Sequence, residues 1–341
     1  VLVSVCLLLG ACASIPDDLE PLPEQRALQA AETGVLSAME KSIYQAQGEA
    51  QSGFWLLDRN RDALEWRLAL FDSAESSLDV LYYLWYAHDS GRLVLQRIIE
   101  AADRGVQVRL LVDDLLLIGD DKGLVGIDRH PNIQLRLFNP KRQRKAGMVT
   151  DAAIRFEQMN ARTHNKLIVA DNRAVILGGW NIGDYYYGLS GKYNFHDLDV
   201  MGFGPVARQS SELFDNFWNS SWVVSASALP FSISEEELAE RRSKLLRDVE
   251  SAANLESFSI APQDRTDELK ALLPRLHIGS SEIIFDRIEN GELVRGMTDP
   301  LGKLLRSADE TIDLVNAYII PEQDFIDGMT RLVDSGVEIR I

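Results

Sequence analysis

Cysteine is almost missing from this chain. Cys6 and Cys12 are its two cysteines, both within the first dozen of 341 residues. No disulfide framework and no thiolate zinc cluster can therefore organise the body of the protein. Histidine is scarce too: the five present show no metal-ligand cluster, and neither a metal nor another cofactor is expected. Positive charge is in deficit, 35 Lys and Arg against 52 Asp and Glu, for a net charge of −17. That excludes the broad basic footprint on which indiscriminate nucleic-acid binding relies, so no nucleic-acid partner is expected. The apolar run at residues 1–9 is too short to span a bilayer. What remains is ordinary globular material, 46% apolar and long enough for a large core.

The most informative string is Thr163-His164-Asn165-Lys166, continued by Leu167-Ile168-Val169-Ala170-Asp171 and then by Gly178-Gly179-Trp180-Asn181. Residues two apart on a strand point to one face, so His164 and Lys166 project together while Asn165 points away. The apolar run behind them fixes the strand, and a catalytic pair needs such rigid support. Asp171-Asn172-Arg173 reads as a tight turn into a strand at residues 174–177. These residue types suit phosphodiester chemistry. A neutral imidazole is a nucleophile available near neutral pH. A fixed ammonium and amide donors hold phosphoryl oxygens where charge develops.

H-x-K-x4-D followed by G-G-x-N resembles the signature of the phospholipase D superfamily, whose members cut and transfer phosphodiesters. The resemblance implies an α/β phospholipase D-like fold, a mixed sheet flanked by helices. It also implies that His164 attacks phosphorus to give a phosphohistidine, with Lys166, Gly179 and Asn181 on the substrate phosphate. Asp171 completes the catalytic motif, and its part is read as holding the turn rather than moving protons. In relatives an acidic residue at the start of the strand after the G-x-N turn contacts the nucleophile. Asp197 matches that place best and would orient the histidine, with Asp199 as its rival. The plainer alternative is that these aspartates merely begin a strand.

The chain also repeats itself. Residues 73–80 recur as 307–314, and residues 103–110 recur as 334–341. Each copy reads helix, strand, helix, strand, the mark of two repeated halves. Residues 55–225 are expected to form the first half, 226–282 a charged helical connector, and 283–341 the start of a truncated second half. The superfamily's plan pairs two such halves, each with one motif. An offset of 231 residues (336 minus 105) from His164 places a second motif near position 395. The chain thus reads as a fragment, nearly inactive alone, whose second motif comes from a missing C-terminal half or a second copy.

Residues 1–11 read as a lipoprotein signal segment, because Leu9-Gly10-Ala11-Cys12 resembles a bacterial lipobox with Cys12 as the lipidation site. The alternative is an ordinary secretory signal. Residues 12–54, with Pro16, Pro21 and Pro23, read as a polar spacer or a loosely packed helical segment. Lys141, Arg142, Arg144, Lys145, Arg155 and Arg162 either line the approach of an anionic head group or form a solvated loop. Tyr82, Tyr83, Trp85, Tyr86, Trp180, Tyr185, Tyr186, Tyr187 and Phe195 either make an apolar pocket mouth or pack on strands.

Within the superfamily the resemblance is to the bacterial cardiolipin synthases of the C type. It rests on the strings above, with His130-Pro131-Asn132 and Asp197-Leu198-Asp199-Val200-Met201. It implies a phosphatidyl transferase of the bacterial cell envelope, held on the membrane by a lipid anchor, with the outer membrane favoured. Its partners would be a phospholipid substrate and an alcohol acceptor. Three readings stay open beside it: a phospholipase D using water, a nuclease phosphodiesterase, and a lipid-anchored binding protein without turnover.

Overall fold

The computed structural model describes residues 14–16, 18–115, 120–141, 144, 162–316, 319 and 321–341. The chain divides into two compact units, with the boundary between Ile283 and Ile284. Unit 1 opens with α1 (Gly34–Gln47), β1 (Ser52–Leu57), α2 (Asn60–Ser73), β2 (Ser77–Tyr82), α3 (Asp89–Asp103), β3 (Gln107–Asp113), α4 (Asp121–Asp128) and β4 (Ile133–Phe138). It continues with β5 (Leu167–Ala170), β6 (Ala174–Gly178), β7 (Asp199–Phe203), α5 (Pro205–Trp218), β8 (Val223–Ser225), α6 (Glu235–Glu250), α7 (Thr266–Lys270) and β9 (His277–Gly279).

The nine strands form one mixed sheet in the order β8-β4-β3-β2-β5-β6-β7-β1-β9. β2, β3 and β4 run parallel, each joined to the next through a helix, as parallel neighbours require. β2 is buried at every position, the pattern of a parallel strand covered on both faces. The β5–β6 hairpin lies in the middle of the sheet, antiparallel to β2, with Leu81 opposite Leu167. Its turn carries Asp171 and Asn172 at φ 55° and 53°, the paired left-handed residues that tight hairpins favour. The Leu64, Leu68 and Phe71 stripe of α2 and the Ile98 and Ala102 stripe of α3 are fully buried. α5 starts with Pro205 just after Gly204, whose φ of 103° favours glycine.

Two expectations about the flanks are corrected. Within residues 12–54 the helical alternative holds for α1, which is packed rather than loose. Leu36, Met39 and Ile43 of α1 are buried in the core, an i, i+3, i+7 stripe hidden behind the prolines and the alanine- and glutamine-rich composition. From residue 18 to residue 31 the chain runs without regular structure and is pinned: Ala27 N–H donates to Asp215 at 2.9 Å and Ala31 N–H to the Asp171 carbonyl at 3.0 Å. β1 begins at Ser52 and pairs with β7 and β9, so residue 54 lies within a strand. Residues 226–282 likewise do more than connect. α6 is mostly exposed behind a Ser234–Glu237 capping box, but Leu255, Leu269 and Leu272 are buried, and β9 forms a sheet edge.

Unit 2 contains β10 (Arg287–Glu289), β11 (Glu292–Val294), α8 (Thr298–Arg306), β12 (Thr311–Asp313), α9 (Gln323–Asp334) and β13 (Glu338–Arg340). β12 and β13 are parallel, with Thr311 opposite Glu338, the places that Ser77 and Gln107 occupy between β2 and β3. The cross-strand ion pair repeats as well: Arg109 Nε lies 2.6 Å from Asp79, and Arg340 Nε lies 2.6 Å from Asp313. Among the described residues no helix is long and apolar enough to cross a membrane. Cys6 and Cys12, with the lipobox reading, lie outside the described residues.

Candidate active site

The site is built where β5 begins. Lys166 is 4% exposed, and its backbone carbonyl accepts from Gly178 N–H at 3.3 Å, which ties it to the hairpin. Its ammonium sits 3.2 Å from His164 Nδ1 and donates to the His164 carbonyl at 2.6 Å. His164 is exposed, with its ring 4.8 Å from that of Tyr83. Burial brings the Lys166 pKa down to about 8, against the opposing pull of Asp197 and Asp199. Burial and the Lys166 charge lower the His164 pKa below its ordinary value, with Asp197 opposing. A neutral imidazole therefore stands beside an ammonium at neutral pH.

Asn181 comes from the turn after β6 and is 4% exposed. Its Oδ1 accepts from Leu84 N–H and its Nδ2 donates to the Tyr186 hydroxyl, each at 3.0 Å. One amide N–H is left for a ligand, since the group carries two.

Gly179 does not fit the expected phosphate-binding part, because its N–H donates to the Leu198 carbonyl at 3.0 Å. Its contribution is space: a Cβ there would stand 2.0 Å from Asp197 Oδ1. Asp197 accepts a hydrogen bond from Leu198 N–H at 2.8 Å, and it acts on His164 and Lys166 through its charge.

Asp171 is not brought to the pair. It lies five residues past Lys166 along an extended strand, roughly 16 Å away. Fully buried, it accepts from the N–H groups of Glu75, Ser76 and Ser77, at 2.7 Å for the shortest. Three donors to one carboxylate lock the start of β2 to the hairpin turn.

Asp199 is fully committed elsewhere, which removes it as a rival orienting group. Its Oδ2 accepts from Arg67 at 2.6 Å and its Oδ1 from Trp180 N–H at 3.3 Å. Arg67 donates in turn to the Trp180 carbonyl at 3.2 Å and to the Tyr82 hydroxyl at 2.9 Å. Both sides of the Trp180 peptide, next to Asn181, are thus clamped by one ion pair that is 0–1% exposed. The sequence reading missed Arg67. The available signal was a charge in the apolar stripe of α2, since arginine is almost never fully buried unless paired.

Among the described residues, two members of the basic cluster are tied up in ion pairs. Arg144 is buried between Asp114 and Asp121, and Arg162 pairs with Asp113 at 3.1 Å. Arg142, Lys145 and Arg155 lie outside the described residues. The aromatics divide: Tyr82, Trp180 and Tyr187 are core, whereas Tyr193 and Phe195 are 54% and 44% exposed. Tyr185 stacks on Tyr193 at 4.7 Å.

A mixed α/β sheet with a histidine–lysine pair at the mouth of its central hairpin is the phospholipase D-like class of architecture. Residues 68–218 match the family model described as cardiolipin synthase, PLD-like domain. The chain is 32% identical over 311 residues to cardiolipin synthase C of Escherichia coli (strain K12), covering 87% of this chain and 63% of that protein. It is 24% identical to cardiolipin synthase 2 of Staphylococcus epidermidis, covering 79% of this chain and 46% of that protein. Among solved structures, phosphatidylserine synthase of Haemophilus influenzae superposes with a TM-score of 0.54 at 13% identity, covering 88% of this chain and 65% of that one. That last likeness is one of fold. Residues 68–218 thus form a phospholipase D-like domain, and the chain spans less than two thirds of the length of these relatives.

Proposed function

We propose that this chain carries the nucleophile of a phosphatidyl transferase that acts on phospholipids through a phosphohistidine, with cardiolipin synthesis as its activity. The observation that supports this best is the pairing of a solvent-facing His164 with the buried Lys166 ammonium at 3.2 Å. Nε2 attacks phosphorus from the tautomer that carries its proton on Nδ1, so the Lys166 ammonium, 3.2 Å from Nδ1, serves the phosphoryl oxygens and makes no hydrogen bond to that nitrogen. The P–N bond forms as the bond to the departing alcohol oxygen breaks. Lys166 and the remaining Asn181 N–H hold the phosphoryl oxygens, where preorganised donors lower the barrier most. Asp197 steadies the positive ring. A second alcohol then attacks phosphorus, the P–N bond breaks, and His164 is regenerated.

A second H-x-K motif, from further sequence of the same polypeptide or from a second copy, supplies the acid for the leaving oxygen and then takes the proton of the attacking alcohol. The repeated Asp79–Arg109 and Asp313–Arg340 pairs support the view that residues 283–341 begin a second half of the same plan. Lipidation of Cys12 would hold the protein on a membrane of the cell envelope, where its substrate lies. Names of relatives that include cardiolipin synthase support phosphatidyl transfer to an alcohol over transfer to water.

The two protonation states set the pH profile. His164 must be neutral, which holds above its lowered pKa, and Lys166 must be charged, which holds below about 8. Turnover is expected to fall on the acid side below pH 6.5, His164's ordinary value, and on the alkaline side near pH 8. Lys166→Met should lower kcat by about 10²–10³-fold and remove the alkaline limb. A Met variant that retains that limb would show that another group titrates there.

A further inference from the structure

Residues 162–166 precede β5 and belong to no strand, so the backbone under His164 needs other anchors. They lie at the ends of the parallel strands. Arg162 donates to Asp113 Oδ1 at 3.1 Å, at the end of β3, and to the Asn139 carbonyl at 3.0 Å, just past β4. Thr163 is buried, and its hydroxyl accepts from Asn165 at 3.0 Å.

Asp113 itself is 2% exposed. Its Oδ1 also accepts from Leu115 N–H at 2.9 Å, while its Oδ2 is buried without a hydrogen-bond partner among the described residues. A half-satisfied buried carboxylate is costly, and such departures from a well-satisfied core gather at functional places. Burial pushes its pKa up to about 7, opposed by Arg162 and the Leu115 and Thr163 N–H groups and reinforced by Asp114. The Asp114 carboxylate is itself paired with Arg144. Asp113 stands two strands from β5, with β2 between them.

We propose that Asp113 is a positioning residue for His164, fixing through Arg162 where the imidazole stands against Lys166. It touches neither the substrate nor the reacting atoms. The proposal rests on the reading of His164 as the nucleophile and adds the device that holds it. A plain structural ion pair would stabilise the fold and leave the histidine's chemistry untouched.

The test needs no turnover. Diethyl pyrocarbonate modification of the full chain at about pH 8, where neutral imidazoles react, is followed by mass spectrometry at each histidine. His88, His130, His196 and His277 serve as internal references. Asp113→Asn should raise the His164 rate about threefold or more by local loosening and leave the other four unchanged. Asp113→Glu should return the rate toward the parent's, and Arg162→Gln, which breaks the same bridge from the other side, should reproduce the gain. In a protein that turns over, Asp113→Asn should also lower kcat about tenfold with KM unchanged. An unchanged His164 rate in Asp113→Asn and Arg162→Gln overturns the proposal. So does an equal gain at all five histidines, which would mean general loosening. Because modification is read without substrate, failure of the phosphatidyl-transfer reading shows separately, as absent turnover in the parent.

Discussion

His164→Gln is expected to reduce phosphodiester turnover by about 10⁴-fold or more, the scale seen when a covalent nucleophile is removed from an enzyme that otherwise still binds its substrate. The fold should not notice. The imidazole is exposed, and among the described residues its ring is met by the Lys166 ammonium, 3.2 Å from Nδ1, and by one ring face from Tyr83. Surface substitutions away from structural devices change stability by roughly half a kcal/mol or less. Side-by-side thermal melts and turnover of the two proteins separate these effects. Comparable turnover in the variant would remove His164 from the mechanism, and a collapsed melt would make it a structural residue.

Arg67→Met should do the reverse, striking the fold first. It leaves the Asp199 carboxylate, 0% exposed, without its ion-pair partner. Breaking a buried pair from one side costs about 3–5 kcal/mol, more than the pair itself is worth. The Trp180 peptide loses a donor at the same time, so Asn181 should shift and any remaining activity fall further. Arg67→Met combined with Asp199→Asn should recover part of the loss, because no unpaired charge then remains. Urea unfolding of the parent, both single variants and the double variant gives the coupling directly. A single-variant loss below about 1 kcal/mol would mean that the pair is not the clamp described.

The sequence disclosed the pair and the sheet around it for a physical reason. An apolar run marks β5 locally, and the turn at residues 171–173 and the β2 and β3 repeats are local patterns too, whereas His164 and Lys166, expected on that strand, stand just before it. What stayed hidden depends on long-range contact. Nothing near Gly179 in sequence says that its N–H is taken by Leu198, or that its missing side chain makes room for Asp197. Arg144 read as a solvated base because its partners Asp114 and Asp121 lie more than twenty residues away. The α1 stripe of Leu36, Met39 and Ile43 is a local pattern, set among alanines and glutamines and preceded by prolines that by themselves favour irregular chain. Asp199 and Arg67 could be joined only by the fold, across 132 residues of chain.

The central claim is a covalent phosphohistidine at His164. The most direct measurement is mass spectrometry of the protein quenched in alkali, where phosphohistidine survives, after brief reaction with a short-chain phospholipid. The account predicts a phosphatidyl adduct on the peptide containing His164, absent from His164→Gln. Turnover without that adduct in the parent, or with the adduct on a different residue of this chain, would contradict it.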